Sequence, residues 1–242
     1  EDLLTLRGAA LLEEADVVVY AGSLVNPALL RRCKPEAEIH DSARLDLNEV
    51  LDILIPAAKA GKRVVRLHTG DPSVYGAHRE QMDALKAAGV PFAVCPGVSS
   101  FFGAAASLGA EYTLPGVSQT VILTRAAGRT AVPEKERLSA LAAHGASMVL
   151  FLSAGRVAEA VSELLAGGYY TNETPAAVVY KATWPDERIL RTTLGELAKE
   201  AEAAGITKTA LLLIGDFLGA AYENSKLYDP SFTTEFREGK QA

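Results

Sequence analysis

The feature that most constrains this chain is a recurring order of short apolar runs, loops and helix-patterned stretches. Asp16-Val17-Val18-Val19-Tyr20 is a compact β-branched run and reads as a buried strand. Ahead of it, leucines at 3, 4, 6, 11 and 12 with alanines between give Glu1–Ala15 one apolar helical face. Asp46 is placed to cap a helix running to Lys59, with Gly61 as its stop signal and Pro56 as a kink point. Arg63–Leu67 is the next strand, followed by the loop His68-Thr69-Gly70-Asp71-Pro72 and a helix over Tyr75–Ala88. Phe92–Cys95 reads as a further strand, which Pro96-Gly97-Val98-Ser99-Ser100 turns into an Ala-rich helix. Strand, loop and helix repeated in this order build a parallel sheet flanked by helices.

The pattern breaks between Gly109 and Ser118, where Gly109, Pro115 and Gly116 flank a polar stretch. That break predicts two α/β domains, residues 1–115 and 116–242. In the second, Gln119–Thr124 and Met148–Leu152 read as strands with helices after each. Ala176–Lys181 and Arg188–Thr193 are separated only by a short stretch around Thr183-Trp184-Pro185-Asp186, which favours an antiparallel hairpin. Lys208–Gly215 is a last core strand. The expected fold is therefore α/β, with a mainly parallel first sheet and a mixed second one. The tail from Asn224, with Tyr228, Phe232 and Phe236, is aromatic enough to pack on its own body or on a partner subunit.

Composition removes several functions. A net charge of −6 over 242 residues leaves no broad basic face, so no nucleic-acid partner is expected. No run approaches the roughly 20 apolar residues of a membrane span, and Glu1-Asp2-Leu3-Leu4 lacks the basic start of a signal peptide. Cys33 and Cys95 are too few for a disulfide framework and read as reduced, mostly buried thiols of a cytoplasmic protein. His40, His68, His78 and His144 are scattered without ligand spacing, so no metal site is expected. G-x-G-x-x-G, the P-loop pattern and G-x-S-x-G are all absent, which leaves dinucleotide, nucleotide-hydrolysis and hydrolase-elbow readings without support.

Ligands of open α/β sheets bind beyond the carboxyl ends of the strands, and two loops occupy such positions. In Thr69-Gly70-Asp71-Pro72, glycine allows close backbone approach to a ligand and aspartate can accept from a hydroxyl or amine. In Pro96-Gly97-Val98-Ser99-Ser100, two serines stand at a helix start. Each loop alone reads first as an ordinary turn or cap. Lys181 could be imagined as a Schiff-base lysine, but a salt-bridged or solvated side chain is the plainer reading.

In combination and order, these pieces resemble the tetrapyrrole methylase family. The matching runs are Arg66–Pro72 with Tyr75-Gly76, Pro96–Ser100, and Val178–Glu187, spanning nearly the whole chain. The run Gln119–Thr130, together with Lys181-Ala182-Thr183-Trp184-Pro185, is most similar to the branch that methylates precorrin-4 at C11 to give precorrin-5 in cobalamin biosynthesis. Methylation of uroporphyrinogen III, of another corrin position or of a cobalt-containing ring, and diphthine synthesis, stay open as alternatives. So does a non-catalytic S-adenosylmethionine-binding protein. The long C-terminal tail favours the metal-free ring.

The resemblance implies S-adenosylmethionine as cofactor, in a cleft between the two domains. Its expected contacts are Thr69, Gly70, Asp71, Ser99 and Ser100 from the first domain, and Leu152, Ala182 and Ala210 from the second. It implies a homodimer, and it assigns no catalytic acid or base. Family members open on a strand and a G-x-G-P-G-D loop; Asp2–Gly8 matches the stretch that follows, so that loop is expected upstream of Glu1. A substrate bearing many acetate and propionate groups needs cations. Arg125, Arg129, Lys181 and Arg188 are candidates, and Arg125 and Arg129 are preferred because they leave the end of a strand.

Overall fold

The computed structural model describes residues 1–219 and 221–240. They form two compact units, Glu1–Ser100 and Phe101 onward. The first unit opens with α1 (Leu6–Glu14), which starts at Leu6 because the Thr5 hydroxyl accepts the Gly8 N–H and caps the helix there. Its strands are β1 (Val17–Tyr20), β2 (Glu38–Asp41) and β3 (Val64–Leu67), all parallel in the order β2-β1-β3. β2 has no counterpart in the sequence reading. Its Glu-Ile-His-Asp run is an edge strand with mostly exposed side chains, so burial imposes no apolar alternation on it.

α2 (Leu47–Lys59) carries a full capping box between Asp46 and Glu49 and continues through Pro56 as one helix. α3 (Arg79–Ala87) starts later than the sequence suggests, because Tyr75 and Ala77 are held in left-handed backbone (φ 55° and 46°) that a helix cannot include. Val17 and Val19 pack with Val50 and Leu54 of α2 and Leu85 of α3, while Val18 and Leu67 pack with Leu12 of α1. The alternation along β1 thus buries both faces of the sheet. Phe92–Cys95, expected as a strand, has no regular secondary structure and no ladder pairing among the described residues, with Phe92 and Val94 exposed.

The helix expected after Pro96–Ser100 is α4 (Ser100–Leu108), followed by β4 (Val121–Arg125), α5 (Leu138–Ala142), β5 (Ser147–Phe151) and α6 (Val157–Ala166). The chain continues through β6 (Pro175–Tyr180), β7 (Arg188–Thr193), α7 (Leu197–Ala203) and β8 (Ala210–Ile214). The five strands lie in the order β4-β5-β8-β6-β7. β4 and β5 are parallel and the other neighbours antiparallel, so the sheet is mixed and β6 and β7 form the expected hairpin. Leu150, Val178, Leu212 and Ile214 face α5, α6 and α7, whereas Val149, Val179, Leu211 and Leu213 face α4. That two-residue alternation explains why these strands read as continuous apolar runs. It also explains why the first unit ends at Ser100 where the sequence reading ended it at residue 115. The small residues Ala104 and Ala105 and Leu108 of α4 belong to the core of the second sheet.

Candidate active site

β3 ends at Leu67, and the chain passes through His68 into Thr69-Gly70-Asp71-Pro72. Gly70 has φ +60°, a conformation that glycine adopts without steric cost. One oxygen of Asp71 accepts from the Ser73 N–H (2.9 Å) and the Ser73 hydroxyl (2.5 Å), and the other accepts the Gly97 N–H at 2.8 Å. A side chain at Gly97 would collide with the carbonyl oxygen of Gly70, and one at Gly70 would stand 3.4 Å from the Ser99 Cα. Two loops more than twenty residues apart are therefore one piece of structure, bringing Thr69, Gly70, Asp71, Ser99 and Ser100 together. Thr69 and Ser100 are exposed, whereas Ser99 is buried at 4%. The Asp71 carboxylate, expected at the cofactor, accepts two bonds from Ser73 within its own loop and one from Gly97 that joins the two loops.

Those bonds, the Ser73 hydroxyl first, hold the Asp71 carboxyl below its ordinary value of 3.8. Because the folded value is depressed, the clasp is at full strength above about pH 4 and is lost only as pH falls through the lowered value. An NMR titration of the Gly97 amide is accordingly expected to show a midpoint below 3.8. A midpoint at or above it would mean that the carboxylate does not hold the loop. Beside the clasp, burial first and then the neighbouring Arg66 guanidinium and His78 ring push His68 down to about 4, so its ring is neutral near pH 7.

In the second unit, the expected contact residues gather at one end of the sheet. β4 and β5 are in register with Arg125 level with Phe151, and Tyr180 is level with Ala210. Leu152 directly follows the last residue of β5, Phe151. Leu152 has left-handed backbone (φ 52°) and is 70% exposed. Ser153, fully buried, fixes that turn: its hydroxyl donates to the Phe151 carbonyl (2.7 Å) and accepts the Ala126 N–H (2.8 Å). Lys181, Thr183 and Thr209 are also left-handed, so this end of the sheet concentrates backbone strain of the kind that tertiary structure must sustain. Ala182 and Thr183 lie against Gly103 in the first turn of α4, the helix that Ser100 begins.

The cations divide by role. The Arg125 guanidinium donates to the carbonyls of Ala126 (3.2 Å), Thr130 (3.1 Å) and Ala131 (2.8 Å), closing the loop that carries Arg129. Arg129 is exposed and has no hydrogen-bond or ion-pair partner among the described residues. Lys181 pairs with Asp186 at 2.6 Å and stands over Tyr180 and Trp184, the salt-bridged alternative to a Schiff-base lysine. Arg188 stacks on Tyr180 and donates to the Ala204 carbonyl. Ser153 and Gly97 were missed as supports of the site. A lone serine after a strand carries no distinguishing signal, and the demand on Gly97 exists only once Gly70 is beside it. Cys33 and Cys95 are both free and half-buried.

The profile of the Tetrapyrrole (Corrin/Porphyrin) Methylases matches residues 1–198. The chain belongs to this family. Among its relatives, the cobalt-precorrin-4 C(11)-methyltransferase of Methanocaldococcus jannaschii is 51% identical, over 98% of this chain and 92% of that protein. The precorrin-4 C(11)-methyltransferase of Rhodococcus erythropolis is 46% identical, over 94% and 91%. An X-ray structure of a cobalt precorrin-4 methyltransferase superposes with a TM-score of 0.87 at 48% identity, covering 90% of each chain. A Thermus thermophilus uroporphyrin-III C-methyltransferase in complex with S-adenosylhomocysteine gives a TM-score of 0.75 at 29% identity, covering 90% and 93%. Among the described residues of this tetrapyrrole methylase, no helix is long and apolar enough to cross a membrane, and no group of three His, Cys, Asp or Glu residues is placed to hold a metal ion.

Proposed function

We propose that this methylase transfers a methyl group from S-adenosylmethionine to C11 of the precorrin-4 macrocycle. The observation that carries the reading is the 51% identity, over nearly its whole length, to a relative named for that C11 transfer. A cobalt-containing ring is favoured, because the two most similar of the comparisons described above are both named for cobalt-precorrin-4. That sets aside the metal-free preference drawn from the C-terminal tail.

The residues suit the cofactor. Thr69 and Ser100 offer exposed polar groups on the joined loops, Leu152 offers an apolar wall with no protein against most of its surface, and the small side chains of half-buried Ala182 and buried Ala210 take up little room beside a purine edge. S-adenosylmethionine supplies an already electrophilic methyl group when bound, so the protein has chiefly to align the attack and exclude water. Thr69, Gly70, Ser99, Ser100, Leu152, Ala182 and Ala210 would hold the donor, with Asp71 acting through the loop clasp. Arg129 would grip a substrate carboxylate, with Arg125 holding its loop. We also infer a homodimer from the family resemblance and a cytoplasmic location from the two cysteines, read as reduced thiols.

Incubation with methyl-labelled S-adenosylmethionine and carbon NMR of the product should place the label at C11. Label at another ring position would refute the regiochemistry, and no transfer to any tetrapyrrole would refute the substrate class. In the same assay Arg129→Ala should raise the tetrapyrrole KM about 10-fold with kcat and cofactor affinity unchanged. Arg125→Ala should lower kcat as well, since it releases the loop. A wild-type KM in Arg129→Ala would show that this side chain faces only solvent.

A further inference from the structure

The carboxyl edge of the first sheet carries a second carboxylate that the proposed function leaves unused. β2 ends at Asp41, which is level with Tyr20 on β1, and Tyr20 is level with Leu67 on β3. Two strand spacings, about 10 Å, therefore separate Asp41 from the strand end that leads into Thr69-Gly70-Asp71. Between them lies the turn Ala21-Gly22-Ser23 that follows β1. Both carboxylate oxygens of Asp41 lie over Gly22, in the space a side chain there would fill.

The two aspartates on this edge differ in what they have left to offer. Asp71 has three donors within the loops, as described above. Asp41 accepts only the Ala43 N–H, at 2.8 Å on Oδ1, and no Lys or Arg pairs with it among the described residues. Its second oxygen is free, its residue is exposed, and glycine at position 22 leaves the carboxylate room to sit at the strand ends.

A bare carboxylate at a ligand-binding edge repels the acetate and propionate rim of a tetrapyrrole, since like charges brought together are destabilising. The macrocycle is electropositive only at its centre, where pyrrole N–H groups point inward or a metal cation is bound. We propose that Asp41, seated on Gly22, faces this electropositive centre and so helps to set how the ring is placed against the methyl donor. The inference rests on the tetrapyrrole reading of the same site and adds to it a substrate-positioning residue.

The test measures tetrapyrrole KM with metal-free precorrin-4 and with cobalt-precorrin-4, and S-adenosylmethionine and S-adenosylhomocysteine affinity by calorimetry, on the full chain. Asp41→Asn removes the charge at nearly constant shape and should raise the tetrapyrrole KM about 10-fold, with cofactor affinities and the unfolding midpoint unchanged. Gly22→Ala keeps the charge but displaces the carboxylate, and should raise the same KM without lowering the affinity for either cofactor form. A rise with the metal-free ring alone assigns Asp41 to the N–H groups, and a rise with the cobalt ring alone assigns it to the metal. A rise with both assigns it to the ring centre in either state. Unchanged KM for both rings in Asp41→Asn would overturn the proposal. So would weakened binding of S-adenosylmethionine but not of S-adenosylhomocysteine, which would put the carboxylate against the sulfonium instead. Wild-type protein that methylates no tetrapyrrole would overturn the underlying function, a result distinct from any difference between variants.

Discussion

Gly97→Ala is expected to lower kcat/KM on the order of 100-fold while leaving the second unit folded. The added methyl group would stand 2.0 Å from the Gly70 carbonyl oxygen, and a backbone atom cannot swing aside as a side chain can. The two loops would have to part, breaking the Gly97 N–H to Asp71 bond and moving Thr69 and Ser100 with them. A displacement of about 1 Å at groups that align reactants can cost on the order of 100-fold in rate. Gly97 is not among the glycines with positive φ, so the loss would come from the collision and not from a backbone conformation denied to alanine. Gly61→Ala is the fitting control: nothing lies within 4 Å of its added Cβ, and its strain at φ +79° is remote from the loops. Turnover and S-adenosylhomocysteine affinity close to wild type in Gly97→Ala would show that the loop contact is not needed for the site.

Leu212→Ala should produce the largest loss of stability. β8 is the central strand of the five, and Leu212 is fully buried among Leu150, Val178 and Ile214 and the helices over them. Removing its side chain combines lost transfer energy with a cavity that close-packed neighbours fill only in part, at a cost of about 2–5 kcal/mol. Trp184 is the single tryptophan of the chain and belongs to the second unit, so its fluorescence follows unfolding of that unit alone. Its urea midpoint should fall by about 1–2 M. A fall of only a few tenths molar would mean that Leu212 is not part of a packed core.

Much of this architecture was legible because the relevant physics is local. Val17–Tyr20 and the later runs at 147–151, 175–180 and 210–214 are apolar on both faces of their sheets, and an uninterrupted apolar run is what such burial leaves in a sequence. Asp46 announced α2 as its N-cap, and the structure completes the signal with Glu49 as a capping box within four consecutive residues. β2 was illegible for the complementary reason: among the described strands it pairs with β1 only, and its mostly exposed side chains carry no apolar pattern that records the pairing. Phe92–Cys95 failed in the opposite sense, with a strand-like composition but no pairing strand among the described residues.

The candidate site divides along the same line. The order of the motifs from Arg66 to Glu187 was enough to assign the chain to its family, because each motif is a contiguous run whose residues need one another locally. Tertiary structure alone decided what the side chains in those motifs do. Folding brings the Gly97 N–H to the Asp71 carboxylate, and it brings the carbonyls of Thr130 and Ala131 to the Arg125 guanidinium, internal bonds that neither run of sequence records. Asp41 gained significance only from parallel register, which places the end of an otherwise featureless edge strand beside Gly22 and in line with the Thr69 loop. A sequence states which groups a chain possesses, but whether a carboxylate or guanidinium is spent internally or left free depends on which donors and acceptors folding brings within about 3 Å of it.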